Sequence, residues 1–476
     1  MFSMNRSQPR SFYILCFGEL CERFSYYGTQ SILVLFLTTV LLFSDDHSYT
    51  LYGVYTTLAF GMPLLGGILA DRWLGQRRAI LAGSVLLIIG NLLLVIPDLR
   101  TFCLGLAISL MGIGLYKPNG TSLVGQLYKK EDSRRSSGFT LFYMYINIGA
   151  TVGSIIYGLA AQTWGWRYGF LLSAISIALS LIVFLKNSQH FAGIGQSPEL
   201  KRSHQLLIYL LIGVGCVLIG LLFYYPSIAN YCIAALGVAM LLLFLRMLMT
   251  HLVFDRSRLL ALLLLGLFGT CFFTGSLQVL SSVSLFINRH VNHTIGTWEI
   301  PTQFFTALYP LFVIVVAPVL MHIWSTLALR AKEPSVPTKF CVGLLLCGLG
   351  LGCFAWTASY ASTDSTSLLP LMGIVIGNLC LSAGELCLIP AMLAAINQLA
   401  PINLQSTMIG AWFMLIAFGG YLSGLIARLS SESTILQSSV EGTQLYSHFF
   451  LTLSVSMLIT TALLMISTPW IKRLMQ

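Results

Sequence analysis

Apolar runs of membrane-spanning length recur along the whole chain, parted by short polar turns. A helix needs roughly 20 apolar residues to cross the hydrocarbon core of a bilayer. By that measure the pattern predicts spans over 12–42, 50–74, 78–97, 101–127, 137–162, 167–186, 205–225, 228–249, 259–287, 302–329, 340–359, 367–397, 406–429 and 445–470. Fourteen such segments describe an all-α polytopic membrane protein. They group as a six-helix bundle over 1–187, a polar linker with two accessory helices over 188–250, and a second six-helix bundle over 251–476. The accessory pair meets at the tight Tyr225-Pro226-Ser227 turn and carries no charge except Arg246 near its inner end, a plainness that suits lipid-facing helices.

The first span breaks the apolar rule. Its run Glu19-Leu-Cys-Glu22-Arg23-Phe-Ser-Tyr26-Tyr27-Gly28 sets three charges and two phenols inside a membrane helix. At 100° per residue, Glu19, Glu22, Arg23, Tyr26, Tyr27 and Gln30 share an arc of roughly 140°. Ionisable groups at membrane depth are expensive and usually face a bundle interior or a wet pathway. A polar stripe of this kind predicts a translocation path; the alternative is an ion pair that only joins helices. Two further spans hold a lone charge, Lys117 in the fourth core span and Glu385 in the tenth, and each needs a partner.

Composition agrees, with 57% hydrophobic and 9% charged residues. The net charge of +10 is topological in origin. With both termini cytoplasmic, twenty of the 26 Lys and Arg fall on inner segments, four on outer loops, and Arg23 and Lys117 within spans. No nucleic-acid partner is therefore expected. The 11 cysteines form no CxxC pair and no Cys/His group at metal-ligand spacing, so they read as packing residues and no metal is expected. The first apolar segment is too long and too charged for a cleaved leader and reads as a retained span.

At the end of the second span lies Gly66-Gly67-Ile-Leu-Ala-Asp71-Arg72-Trp-Leu-Gly75-Gln-Arg77-Arg78. A carboxylate at one helix end and arginines at the next can latch two helices in one state, and this run resembles the inter-helix loop motif of the major facilitator superfamily. With the Glu19-x-x-Glu22-Arg23 run, the resemblance narrows to the proton-dependent oligopeptide transporter family, closest to bacterial di- and tripeptide permeases. Phe139-Thr-Leu-Phe142-Tyr143-Met-Tyr145-Ile-Asn147-Ile-Gly149, the stretch Asn288–Pro301 and Gly384-Glu385-Leu386 are similar to that family too, and the similarity covers essentially the entire chain.

The resemblance implies a major facilitator fold and an inner-membrane, proton-coupled importer of di- and tripeptides working by alternating access. It implies no cofactor beyond protons, a lipid bilayer as surroundings, and a monomer. Short peptides are zwitterions, so cations must meet the carboxylate and an anion the amine. Arg23 with Lys117 is expected at the first end and Glu385 at the second, with Asn147 helping at the amine and Tyr26, Tyr27, Tyr309 and Trp412 beside the peptide. Glu19 and Glu22, with Arg23, are the expected proton carriers. Asp71, Arg72, Arg77 and Arg78 are the expected gate.

Four positions depart from the family pattern. Leu277 stands where an acid is common, and Gln30 where many members have its arginine partner. Tyr309 replaces a usual Asn and Phe60 a common Tyr, with Thr56 and Thr57 one turn away as substitutes for that hydroxyl. The seventh core span is therefore expected to close by packing rather than by an ion pair. The alternative function is a relative adapted to another small zwitterion, an amino acid or peptide-like metabolite, with altered proton coupling. An intramembrane hydrolase would need a nucleophile with a base or paired metal ligands on facing helices, and the sequence offers neither.

Overall fold

A computed structural model describes residues 8–128, 132, 134–191, 193–196, 202–250, 253–361, 369–400, 405–431 and 440–476. Each predicted span falls on helix. In chain order these are α1 (Arg10–Thr39), α2 (Asp45–Leu69), α3 (Gln76–Leu94), α4 (Leu99–Gln126), α5 (Arg134–Thr163), α6 (Trp166–Lys186), α7 (Arg202–Tyr224) and α8 (Pro226–Thr250). The second half holds α9 (Val253–Ser276), α10 (Ser282–His290), α11 (Thr302–Leu329), α12 (Val336–Ala361), α13 (Pro370–Leu399), α14 (Gln405–Ala427) and α15 (Val440–Met475). Among the described residues twelve helices are long and apolar enough to cross a membrane, and Pro226–Val238 of α8 is a shorter apolar stretch. At 30 residues α1 is as long as any of these but two, its hydropathy diluted by the charged stripe.

Three details differ from the pattern. The second span ends in a π turn, Ala70–Leu74, which carries Asp71 and Arg72. The span predicted over 259–287 is two helices, α9 and α10, broken by a 3-10 turn at Leu277–Leu280. A two-stranded hairpin, β1 (Thr294–Ile295) and β2 (Trp298–Glu299), follows α10, with Gly296 at φ 64° in its two-residue loop. Such a loop needs left-handed backbone, which glycine adopts without a Cβ clash.

The break at Leu277 has a clear cause. Irregular backbone survives at membrane depth only where its polar groups find partners. Here the Tyr52 hydroxyl donates to the Leu277 carbonyl at 3.1 Å, and Gln278 Nε2 donates to the Ser423 carbonyl at 3.0 Å. The Ser282 hydroxyl donates to Gln278 Oε1 at 2.6 Å. Gln278 thus supplies in side-chain bonds what the helix loses in backbone bonds.

The chain divides into two compact units, Met1–Leu33 with Leu58–Ser227 and Val34–Thr57 with Ile228–Gln476. In the first unit small residues draw backbones together. A Cβ on Gly153 of α5 would lie 2.8 Å from the Phe24 Cα, and one on Gly149 would lie 3.0 Å from the Arg23 Cβ, so α5 lies close along the charged face of α1. Asn91 of α3 donates to Ser25 of α1 at 3.1 Å. Asp98 caps α4, accepting from the Thr101 and Arg100 amides at 3.1 Å each. These bonds, those from Thr101 foremost, hold its carboxyl below the usual carboxylate range.

In the second unit the same device joins α2 to α14, where a Cβ on Gly424 would lie 2.7 Å from the Gly53 Cα. Asp45, at the α2 N-terminus, accepts from both Arg289 nitrogens at 2.7 and 2.8 Å, and Asp46 pairs with Arg428. The first pair is 2% and 12% exposed at Asp45 and Arg289; the second is 51% and 39% exposed at Asp46 and Arg428. Breaking a buried pair from one side costs about 3 kcal/mol, and an exposed pair about 1 kcal/mol or less. Arg289→Ala is therefore expected to lower the thermal midpoint in detergent clearly, and Arg428→Ala hardly at all. Equal effects would show that burial does not separate the two pairs.

Candidate functional site

The charged stripe of α1 is fully buried, with Glu19, Glu22 and Arg23 at 1%, 0% and 2% exposure. Arg23 pairs with Glu22 through Nε and Nη2, and its Nε lies 3.5 Å from Glu19 Oε1. The guanidinium carbon sits 5.0 Å from the Tyr26 ring centroid and 6.0 Å from that of Tyr27. Two carboxylates thus share one guanidinium, which is flanked by π faces that favour a cation. Glu19 Oε1, Glu19 Oε2 and Glu22 Oε1 are buried and have no hydrogen-bond partner among the described residues. Buried polar atoms are nearly always satisfied, so three open carboxylate oxygens on one helix face need an explanation.

Lys117 of α4 supplies the second cation of this unit. Glu22, Glu19 and Arg23 all act on it electrostatically, yet it forms no ion pair among the described residues. Its Nζ instead lies 5.3 Å from the centroid of the Phe60 ring. The position expected to want a tyrosine hydroxyl therefore offers an aromatic face to an ammonium. Thr57 does not replace that hydroxyl, since its Oγ1 donates to the Gly53 carbonyl at 2.7 Å. Gly120, one helical turn beyond Lys117, leaves room for Glu19; a Cβ there would lie 3.4 Å from Oε2. Asn147 of α5 is largely buried, its amide nitrogen donating to the Tyr143 carbonyl at 3.0 Å.

The loop after α2 is arranged differently from a carboxylate–arginine latch. Asp71 accepts from Gln76 Nε2 at 3.0 Å and forms no ion pair among the described residues. Arg77 turns toward the segment after α6, donating to the Ser188 carbonyl at 3.3 Å, while its backbone N–H donates to the Gly195 carbonyl at 3.2 Å. Arg72 and Arg78 are exposed.

In the second unit the Tyr309 hydroxyl of α11 donates to Glu385 Oε2 of α13. Ser382, one turn before Glu385, donates to the Tyr309 carbonyl at 2.8 Å, so the tyrosine is held from both ends. Both Tyr309 and Glu385 keep partial exposure. Trp412 of α14 is 1% exposed, edge-on to Phe273 at 6.1 Å and Phe340 at 6.4 Å. In this conformation it belongs to the core of its unit rather than to an open wall. Ser382, Gln278 and Tyr52 escaped the sequence reading. A serine one turn from Glu385 and a glutamine beside two serines were the only local signals. Among the described residues no group of three or more His, Cys, Asp or Glu gathers to hold a metal.

The POT family profile matches residues 77–447 of the chain. The chain is similar to the dipeptide and tripeptide permease B of Salmonella typhimurium, 30% identical over 474 residues covering 98% of this chain and 96% of that protein. It is also similar to the peptide transporter YePEPT of Yersinia enterocolitica, 30% identical over 87% of this chain and 86% of that one. Among solved structures, a peptide transporter POT in complex with alafosfalin matches with a TM-score of 0.86 at 27% identity, covering 98% of this chain and 96% of its own.

Arg23→Gln leaves two buried carboxylates without their guanidinium and is expected to cost about 3–5 kcal/mol. A thermal melt in detergent reads this directly. Adding Glu22→Gln to Arg23→Gln is expected to recover more than half of the loss, and no recovery would mean that Arg23 stabilises by packing alone.

Proposed function

This chain belongs to the POT family, and from that premise we propose that it imports di- and tripeptides together with protons across the bacterial inner membrane. The buried Glu19–Glu22–Arg23 cluster, with its three open carboxylate oxygens, carries the reading. Each open oxygen is a place where a proton binds, and the adjoining guanidinium sets the charge that the proton changes. Glu19, Glu22 and Arg23 are the proton-coupling residues.

Arg23 and Lys117 of the first unit take the peptide carboxylate, and Glu385 of the second takes the amine. Two features support this division: among the described residues Lys117 has no ion-pair partner, and Glu385 accepts a hydrogen bond from Tyr309 alone. The Tyr309 oxygen, its proton committed to Glu385, keeps lone pairs free to accept from an amine. Tyr26, Tyr27 and Asn147 complete the first unit's surface, and Trp412 stiffens the second from behind. Asp71, Arg72, Arg77 and Arg78 form the cytoplasmic gate, with Arg77 tying α3 to the segment after α6. The twenty-to-four distribution of Lys and Arg supports two cytoplasmic termini. The chain works as a monomer built from two six-helix halves.

Uptake of labelled dialanine into proteoliposomes, with and without an inward pH gradient, tests the function. Gradient-driven accumulation is expected, and Glu22→Gln should abolish it while sparing exchange of peptide for peptide. No accumulation of any di- or tripeptide sinks the proposal; accumulation indifferent to the gradient favours the weakly coupled alternative, which the uncharged Leu277 and Gln30 make worth separating. Acetylating the amine or amidating the carboxylate should each weaken competition at least about tenfold, the scale of a lost hydrogen bond to a charged group.

A further inference from the structure

A groove of about 500 Å³ runs between α3 and α7, walled by Arg78, Ala82 and Val85 on one side and Tyr209, Ile212 and Gly213 on the other. Both helices pack on α4, which spaces them apart. Gly213 keeps the trough open, since a Cβ there would meet no atom within 4 Å. Val85 and Tyr209 are each 46% exposed. In water such an apolar trough would be a liability, but it lies within the membrane-crossing segments Gln76–Leu94 and Leu207–Tyr224, where lipid is the solvent.

One end of the trough is not apolar. Arg78 is the third residue of α3, exposed, and without a hydrogen bond or ion pair among the described residues. The partial positive charge of the α3 N-terminus adds to its own. Tyr209 adds the amphipathic wall that tyrosines provide at membrane–water boundaries. A cation at the mouth and an apolar trough behind it match one kind of molecule, an anionic headgroup carrying an acyl chain. A soluble anion would leave the trough unused, and a neutral lipid would leave Arg78 without a counter-charge.

We infer that this groove is a binding site for an anionic glycerophospholipid, its phosphate on Arg78 and one acyl chain in the trough reaching Gly213. Basic pockets between membrane helices recognise such headgroups. With the topology proposed above, the lipid belongs to the cytoplasmic leaflet, and it braces the first accessory helix against the transport bundle.

Native mass spectrometry of the full-length protein in detergent, titrated with phosphatidylglycerol or phosphatidylcholine, tests the site. The protein should retain phosphatidylglycerol preferentially, and Arg78→Gln should weaken that preference about fivefold, one surface arginine's share of the attraction. Gly213→Leu, which fills the trough and leaves the charge intact, should reduce retention of phosphatidylglycerol with no change in the lipid-free thermal midpoint. Glycerol 3-phosphate and inorganic phosphate should not compete. Unchanged retention in both variants overturns the proposal, and competition by inorganic phosphate reduces the site to a plain anion contact.

Discussion

Everything distinctive about this protein follows from the expense of keeping charge where water is scarce. Glu19, Glu22 and Arg23 sit at 2% exposure or less on a helix that otherwise reads as membrane span. Only mutual compensation makes this tolerable, and compensation demands close neighbours. The glycines of α5 let its backbone lie against Arg23, Gly120 of α4 leaves space at Glu19, and two aromatic rings flank the guanidinium. The packing of the first unit is, to that extent, arranged around three side chains.

The second unit meets a related constraint with backbone rather than side-chain charge. Where α9 breaks, Tyr52, Gln278 and Ser282 complete the hydrogen bonds the helix gives up. The family's usual acid at position 277 is absent, and its place holds a leucine whose carbonyl is capped by a tyrosine. A hydrogen-bonded kink thus stands where an ion pair was the common solution. Glu385 follows the same logic, since its partial burial is offset by a phenol that Ser382 holds in place.

How much of this could be read in the sequence depended on whether the signal was local. Span positions are local sums of hydropathy, so all fourteen predicted segments fall on helix. The α1 stripe follows from helical periodicity alone, and burial of Glu19, Glu22 and Arg23 together agrees with it. Partnership is different, because it depends on which helix lies opposite. Nothing near Asp71 indicates that it bonds Gln76 rather than an arginine, and nothing near Phe60 indicates that its ring faces Lys117. The break at Leu277 was invisible for a similar reason, since its compensating groups come from α2 and α14.

The first unit's cluster has a consequence for membrane voltage. With both carboxylates ionised, its formal charges, two carboxylates against Arg23 and Lys117, sum to zero. A zwitterionic peptide adds nothing to that sum, so any net charge carried with it is the proton's. Each such charge crossing the membrane is worth about 2.3 kcal/mol per 100 mV. If this cluster loads the coupling proton, as proposed above, its neutrality beforehand makes the loaded step respond to the electrical potential and leaves the empty return of these residues largely indifferent to it.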